Sequence, residues 1–407
     1  MTVTMTRAGR PAPHRRGSPG YTRITLALFA AGLTTFISMY SAQALLPALS
    51  DGFAVPPGTA ALAVSVTTGV LALAVIPASV LSERFGRTRV MVCSAALSCA
   101  VGLVLPLSPT IEWLLVGRVV QGATLAGIPA VAMAYLAEEV HGADLGAAMG
   151  RYVAGTTIGG LVGRLIPSAV LDVSTWRWAM EASAVAALVF AVVMTRTMPA
   201  SHFFRPRQVS PRTVTANLAL HLRNPDLRVL FALGFLLMGG FVSAFNFLGF
   251  RLLAEPFGLP ESAVGAVFLL YLAGTVTAAV AGRLSDRFGR GWVLLTAVCV
   301  SAAGLVTTLP DNLASVLVGM LLFTGGFFAA HSVASGWVGA LATAHRAEAS
   351  SLYLCAYYLG SSLAAVGAGV AYGWGGWTAT VGYIGALLLV AIGLTLTLPR
   401  TKRRQAR

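Results

Sequence analysis

The stretch LSERFGR at residues 81–87 returns almost unchanged as LSDRFGR at residues 284–290. The two copies lie 203 positions apart in a chain of 407 residues. Two further pairs keep nearly the same offset: LLVGR at 114–118 pairs with VLVGM at 316–320, and GTTIGG at 155–160 with GSSLAA at 360–365. One duplication with small insertions accounts for all three pairs. The chain is therefore predicted to contain two copies of one structural unit.

The composition places both copies in a membrane. Hydrophobic residues make up 57% of the chain and charged residues 10%, whereas soluble domains are roughly half apolar and a quarter charged. Apolar runs such as 27–46, 60–81 and 381–398 approach or exceed the ~20 residues that a helix needs to cross a bilayer. We therefore predict an all-α polytopic membrane protein.

Charged residues, prolines and glycines divide the chain into twelve candidate helices, six in each copy. Their approximate ranges are 23–47, 59–81, 90–108, 111–137, 149–168, 177–196, 228–250, 262–282, 291–309, 312–342, 349–372 and 376–399. The predicted domains are a disordered basic N-tail (1–22), an N-terminal six-helix bundle (23–196), a cytoplasmic linker (197–227), a C-terminal six-helix bundle (228–399) and a basic C-tail (400–407).

The basic residues predict the orientation. If both termini are cytoplasmic, 24 of the 28 Arg and Lys residues fall on the cytoplasmic side, as the positive-inside rule requires. The four exceptions are Arg118, Arg164, Arg177 and Arg251. The preference for Arg over Lys, 27 to 1, and the abundance of Ala and Gly indicate a GC-rich bacterial genome, and hence a bacterial plasma membrane.

Several function classes are disfavoured. The net charge of +14 does not indicate nucleic-acid binding, because the arginines sit in short clusters between apolar runs. Lys402 is the only lysine, so neither a P-loop lysine nor a Schiff-base lysine is available. The four cysteines lie in apolar runs without metal-ligand spacing. No nucleophile–base motif or carboxylate pair indicates an enzyme, and we expect no cofactor and no metal.

The second copy of the repeated phrase resembles the loop signature of the major facilitator superfamily, roughly G-x-L-x-D-R-x-G-R. It matches at Gly282, Asp286, Arg287, Gly289 and Arg290.

The first copy keeps Arg84, Gly86 and Arg87 but has Ser79 at the first glycine position and Glu83 at the aspartate position. A second family signature, R-x-x-Q-G in the fourth helix, is present from Arg118 through Gln121. The stretches AGIPAVAMAYLAEE at 126–139 and TIGGLVGRLI at 157–166 resemble the bacterial YnfM-like branch, a group of proposed exporters.

This resemblance implies a fold of twelve transmembrane helices in two pseudo-symmetric six-helix bundles. It also implies secondary active transport by alternating access around a central site. The drug–proton antiporters of the family carry a Gly-Pro pair in the fifth helix and an aspartate in the first. This chain has neither.

Ionisable residues inside apolar runs are the first candidates for the central site. In the family the arginine at Arg118 is commonly tied to proton coupling, and the alternative is a helix tie to backbone carbonyls. Arg164 either faces the cavity or reaches to the outer surface. His331 either carries the coupling proton or forms a neutral hydrogen bond between helices. Glu181 lies either in the cavity or at the external interface.

Polar and aromatic positions in the first and seventh helices are candidates for the substrate path, with plain helix packing as the alternative. They are Tyr40, Gln43, Phe241, Phe245 and Asn246.

The repeated loops are predicted to act as gating latches. Each places an acid, Glu83 or Asp286, where it could meet the positive end of a helix in the other bundle. The adjacent arginines could bridge helices or lipid head groups.

The sequence thus predicts proton-coupled efflux of a small organic solute by a monomer in the bilayer. The basic lining of Arg118, Arg164 and His331 suits a neutral or anionic solute. Proton-coupled or facilitated uptake of a sugar or organic anion is the alternative. A transport-dead sensor is a third hypothesis from a different class.

Overall fold

The computed structural model describes residues 13–204 and 211–399, without the side chains of 211–214 and 347. It is 87% helical, and its described residues contain no β-strand. Residues 1–12 of the predicted N-tail, the whole predicted C-tail (400–407), and Arg205 and Arg207 of the linker lie outside the described residues.

The helices, in chain order, are α1 Pro19–Ala44, α2 Leu46–Phe53, α3 Pro57–Phe85, α4 Arg87–Val104, α5 Ile111–Leu125, α6 Gly127–Glu139, α7 Gly142–Leu171, α8 Trp176–Thr197, α9 Pro211–Arg223, α10 Pro225–Leu253, α11 Glu261–Ala266, α12 Tyr271–Phe288, α13 Arg290–Thr307, α14 Leu313–Leu341 and α15 Arg346–Thr397.

Eleven helical segments of the described chain are long and apolar enough to cross a membrane. The last, α15, has 52 residues, so its length of ~78 Å is about twice a bilayer. It breaks at Gly375 and Gly376, whose backbone angles are not helical. Its two arms bring the number of crossings to twelve. The predicted twelve-helix membrane fold is confirmed.

Twelve crossings return the chain to the face on which it starts. We call this the terminal face, because it carries the start of α1 and the end of α15, and we call the opposite side the far face. The N-terminal half is α1 to α8, and the C-terminal half is α10 to α15. That each half is a separate unit with the predicted boundaries stays a prediction.

The described part of the predicted disordered N-tail is ordered, so that prediction is wrong for residues 13–22. The side chain of Ser18 caps α1 by accepting a hydrogen bond from the Tyr21 amide, and Pro19 occupies the first helical position. Such a cap and proline start a helix at this point. His14 donates its backbone N–H to the Glu139 carbonyl at 2.8 Å, which fastens the chain to the end of α6.

The linker also contains a helix that the sequence analysis did not predict. In α9, Asn217 Nδ2 donates to Glu348 Oε1 at 3.3 Å, and His221 Nε2 lies 3.1 Å from the His345 carbonyl oxygen. Because Glu348 and His345 begin α15, the linker helix is bound to the C-terminal half at the terminal face.

The duplicated glycines have the same packing role in both halves. A Cβ atom at Gly155 of α7 would collide with the backbone of Phe29 in α1, and a Cβ atom at Gly360 of α15 would collide with the backbone of Phe235 in α10. Small residues at such crossings let helix backbones approach closely in membranes. The repeated glycine stretch therefore keeps one helix crossing in each half.

The break in α15 gives a test of the fold. Gly376 has φ +58° and no atom within 4 Å of a would-be Cβ, so Gly376→Ala should destabilise through backbone strain alone, by about 1–3 kcal/mol. We expect a lower midpoint of thermal unfolding for the purified protein.

The matched control is Gly373→Ala, three residues earlier. Gly373 lies within the helical first arm, also with no atom within 4 Å of a Cβ, so alanine there should stabilise by about 0.5–1 kcal/mol. Equal unfolding midpoints for the two variants would contradict a strained break at Gly376.

Candidate functional site

Arg118 lies in the middle of α5 with 1% of its surface exposed. Its Nε donates to the Ala63 carbonyl at 2.8 Å, and its Nη2 to the Met39 carbonyl at 2.7 Å. Its Nη1 donates to the Ser38 carbonyl at 2.9 Å and to Gln121 Oε1 at 2.5 Å. These bonds tie α5 to α1 and α3, which is the geometry of a helix tie. A role of Arg118 in proton coupling stays a prediction.

The rest of this motif brings α3 and α5 together. A Cβ atom at Gly122 would collide with the backbone of Thr67 in α3. The Thr67 hydroxyl donates to the Arg118 carbonyl at 3.2 Å. The residues of this motif therefore depend on one another. The close approach that Gly122 allows brings the Ala63 carbonyl of α3 within reach of Arg118, and Gln121 accepts a further hydrogen bond from the same arginine.

Arg164 is buried in α7, with 2% of its surface exposed. Its Nε donates to Gln43 Oε1 at 2.8 Å, and its Nη1 to the Gly160 carbonyl at 2.5 Å. Arg164 therefore faces the interior. Within the described chain Nη2 has no hydrogen-bond partner, and no carboxylate lies within ion-pair distance of this guanidinium.

Three aromatic rings surround the Arg164 guanidinium. Its carbon lies 4.0 Å from the ring centroid of Tyr40 in the N-terminal half. The ring centroids of Tyr271 and Phe268, both from the C-terminal half, lie at 4.8 and 5.0 Å. Cation–π contacts at these distances are attractive. The two C-terminal rings make this cation part of the contact between the halves.

A hydrogen bond also joins the halves here. Gln43 Nε2 of α1 donates to Asn246 Oδ1 of α10 at 2.7 Å. Asn246 is 1% exposed, and its Nδ2 has no partner among the described residues. Tyr271 Oη is likewise buried without a described partner. Two unused donors therefore lie in the group of side chains around Arg164.

The predicted residues Phe241 and Phe245 belong to an aromatic row in the C-terminal half. The Phe241 ring stacks on Phe327 at 3.9 Å and lies 5.1 Å from Tyr271. Phe245 lies 4.8 Å from Tyr271. Sequence reasoning missed Tyr271 and Phe327, although both lie among apolar residues in the second copy of the repeat. The row runs from Arg164 toward α14.

His331 ends this row. Its ring is stacked on Phe327 with centroids 6.0 Å apart, and it lies 4.6 Å from the ring of Tyr357. His331 Nδ1 lies 2.9 Å from Tyr353 Oη, a hydrogen bond between α14 and α15. The side chain is half-buried. Both hypotheses for His331 stay open. The hydrogen bond between the helices is present, and the side chain is partly exposed, as a carrier of the coupling proton would need to be.

Glu181 is not brought to this group. It lies on the second turn of α8, half-buried, and forms no hydrogen bond or ion pair with another described residue. Its neighbour Arg177 donates to the carbonyls of Pro106 and Ser108 on the far face.

The first repeated loop holds a closed charge network. Arg87 Nη2 donates to Glu83 Oε1 at 2.6 Å and to Glu138 Oε1 at 2.8 Å, while Nη1 donates to Ser82 Oγ at 2.6 Å. Glu138, near the end of α6, was not predicted as the partner. All these contacts stay within the N-terminal half. The latch between the halves stays a prediction, and Glu83 does not form it in this conformation.

The second loop has the same backbone but different contacts. Gly86 and Gly289 have nearly identical angles, φ +95° and ψ 148° against φ +91° and ψ 146°, which favour glycine. Asp286, however, is exposed and forms no ion pair with a described residue.

The remaining predicted loop residues lie at the surface of the terminal face. Arg84, Arg287, Arg290 and Gly282 are all exposed, and a Cβ atom at Gly282 would meet nothing within 4 Å.

The halves meet from mid-height to the far face. A Cβ atom at Gly369 of α15 would lie 2.9 Å from the Gly58 Cα of α3, and one at Gly265 of α11 would collide with Ser168 of α7.

At the ends of two helices, the Ser262 backbone N–H of α11 donates to Oδ1 of Asp172, the residue that follows α7, at 3.1 Å. The side-chain and backbone hydrogen bonds from Ser262 hold the pKa of Asp172 below its usual value. We call this set of contacts the far-face seam.

The terminal side is more open. Phe36 lies in the middle of α1, the most buried of the crossing helices. It is nevertheless partly exposed, whereas every other residue from 30 to 47 is buried. At Phe36 the described helices therefore enclose α1 less completely than they do toward the far face.

The family model described as Major Facilitator Superfamily matches residues 28–273 and 246–407. The chain is 41% identical over 378 residues to the inner membrane transport protein YnfM of Escherichia coli (strain K12), a match covering 93% of this chain and 91% of that protein. It is 38% identical over 387 residues to the uncharacterized MFS-type transporter YybF of Bacillus subtilis (strain 168), covering 95% and 96%. These matches confirm the predicted YnfM-like resemblance.

Among solved structures, the fold is similar to a bacterial homolog of the human lysosomal transporter Spinster in an inward-facing, unoccupied conformation. The TM-score is 0.75 at 15% identity, covering 93% of this chain and 96% of that one.

The far-face seam gives a test of the conformation. Gly369→Leu should force α15 away from Gly58 and shift the population toward states that are closed at the terminal face. The measurement is the rate at which a membrane-impermeant maleimide, added from the terminal side, labels Phe36→Cys in a variant without the four native cysteines. We expect severalfold slower labelling.

Gly373→Leu is the control on the same helix, because a Cβ atom there meets nothing within 4 Å. Labelling should be unchanged in this variant. Equal slowing by both substitutions, or by neither, would contradict a seam that holds the far face shut.

Proposed function

Because the chain belongs to the major facilitator superfamily, we propose that it is a secondary active transporter that exports a small organic solute in exchange for protons by alternating access. The family and the relatives are transporters, which points away from an enzyme. The protein is a multi-pass membrane protein. We place it in a bacterial inner membrane as a monomer, with the terminal face in the cytoplasm.

The observation that carries this proposal is the asymmetry between the two faces. The halves are joined over Arg164 at the far face, while the described terminal half of the molecule leaves Phe36 and His331 partly accessible. A transporter that loads from the cytoplasm needs such a site, open on one side and sealed on the other.

The far-face seam is suited to repeated opening. It includes glycine contacts, as between Gly58 and Gly369, and a hydrogen bond from a backbone N–H to an exposed carboxylate. Next to it the halves are joined by one hydrogen bond between neutral amides and by the cation–π contacts of Arg164. The net contribution is about 1 kcal/mol for the hydrogen bond between amides and about 1.5–3 kcal/mol for the one to the carboxylate. The halves can therefore separate at a cost that solute binding offsets.

His331 is the side chain that we assign to the coupling proton. It lies in the middle of α14, half-buried, and an imidazole titrates near physiological pH. Arg118 is held by four acceptors, so its assigned part in coupling is to keep α1, α3 and α5 in register. Loss of either side chain would uncouple proton entry from solute exit.

The test uses everted membrane vesicles energised by respiration, in which a proton gradient is followed with a fluorescent amine. Neutral, anionic and cationic solutes are added to vesicles with wild type, His331→Gln or Arg118→Ala. We expect a subset of solutes to collapse the gradient in wild type, with the effect reduced at least about tenfold in both variants because a protonatable group and the helix tie contribute on this scale.

Arg251→Ala is the control for Arg118→Ala. Arg251 is also a buried arginine that donates to backbone carbonyls, those of Thr308, Leu309 and Pro310, but it lies at the far face. Equal losses in both variants, at equal amounts of inserted protein, would show that Arg118 matters only as any buried helix tie does, and would contradict a specific part in coupling. If no solute collapses the gradient in wild type, proton-coupled export is wrong, and uptake into intact cells becomes the competing function.

A further inference from the structure

We propose that the transported solute is a monocarboxylate with an aromatic or extended apolar body, whose carboxylate binds Arg164 and whose body lies along the aromatic row toward His331. This substrate class rests on the proposed function.

The first argument is the missing counter-charge at Arg164. Other buried arginines of the described chain have their acceptors inside the protein: Arg118 has four, Arg87 has two glutamates, and Arg251 has three carbonyls and Asp311. Arg164 has one amide oxygen and one carbonyl. An arginine deep in a membrane protein is costly unless its charge and donors are satisfied. A bound anion would supply what the protein lacks.

The second argument is the excess of donors around this cation. Asn246 Nδ2 and Tyr271 Oη are both buried without a described partner. An unpaired buried donor costs roughly 1–3 kcal/mol. Two such donors near a guanidinium without a counter-ion therefore favour the binding of a ligand that supplies acceptor atoms. A carboxylate has only acceptors and matches the planar guanidinium with two oxygens. A protonated amine has only donors and would add a second positive charge.

The third argument is the shape and chemistry of the surroundings. The rings of Tyr40, Tyr271 and Phe268 lie within 5.0 Å of the guanidinium carbon, so an anion that binds Arg164 has aromatic neighbours. Beyond Tyr271 the row continues through Phe241 and Phe327, with few polar atoms for hydroxyl groups to bind. Such a wall binds rings and apolar chains. It is poorly suited to a sugar.

That the solute carries a single negative charge follows from the other basic side chains of the described interior. Arg118 is fully occupied by its carbonyls and Gln121, so it offers no second anion site. His331 stands at the other end of the row, where a proton in exchange would sit apart from the carboxylate. One uncompensated cation in the described interior therefore selects one negative charge.

The test measures binding to the purified full-length protein by intrinsic fluorescence and thermal shift. The probes are benzoate, cinnamate and 1-naphthoate, each compared with its primary amide and with the corresponding amine. At least one carboxylate should bind, and its amide and amine should bind at least about tenfold more weakly, because they lack the ion-paired hydrogen bonds.

The decisive variant is Gln43→Glu. It places a carboxylate at the position from which Gln43 now accepts the Arg164 Nε bond, and the Asn246 amide can turn so that its unused Nδ2 donates to the new oxygen. The variant should unfold at the same or a higher temperature and bind carboxylates at least about tenfold more weakly, because the protein then supplies its own counter-ion. Arg177→Gln removes a far-face arginine of the same half and should leave affinity unchanged.

The substrate class is wrong if no carboxylate binds the folded wild type, if an amine or amide binds as well as its carboxylate, or if Gln43→Glu keeps full affinity. Failure of the proposed function is distinguishable. Carboxylates that bind but never move protons in everted vesicles would overturn proton-coupled export alone, whereas proton movement driven only by neutral or cationic solutes would overturn the substrate class alone.

Discussion

The constraint on which the rest depends is that a charge inside a bilayer must find its partners within the protein. Arg118 satisfies it by drawing α1, α3 and α5 together through backbone carbonyls. Arg251 does the same for the far end of the C-terminal half. Arginine suits this role because its donors are fixed in one plane and its charge is not lost. Interior charges thus join helices to one another, and Arg164, which has fewer partners among the described residues, is the one that we propose as the solute site.

The two copies share backbone geometry but carry different functional side chains in their interiors. Gly86 and Gly289 occupy equivalent positions with the same positive φ. Gly155 and Gly360 occupy equivalent positions at which a Cβ atom would collide with the backbone of a neighbouring helix. By the repeat offsets, however, Arg118 corresponds to Met320, and Arg164 to Gly369. The N-terminal half therefore carries the two buried cations Arg118 and Arg164, while the C-terminal half carries the aromatic row and His331. A site at the boundary combines a charge from one copy with a surface from the other.

The sequence predicted the membrane fold and its twelve crossings because apolar length and repeat offset are properties of the chain itself. The prediction was wrong at the start of α1, where a helix-capping signal begins the helix before the hydrophobic run. Ser18 and Pro19 start α1 earlier than the hydrophobic run suggests. Individual site residues such as Arg164, Gln43 and Asn246 could be named from their polarity in apolar runs. Their meeting could not be predicted, because Gln43 and Asn246 are 203 positions apart and only the packing of the halves joins them.

The unpaired charge of Arg164 gives the transport cycle an electrical character. With a monocarboxylate bound, the site has no net charge, so the membrane potential exerts little force on the loaded change of state. In the proposed exchange the solute-free protein returns with Arg164 unpaired and the coupling proton on His331, and on each of these positive charges the potential acts with ~2.3 kcal/mol per 100 mV for a full crossing of the field. In a cell with a negative interior this force drives the solute-free site back toward the cytoplasm. Voltage would then reset the transporter after each release.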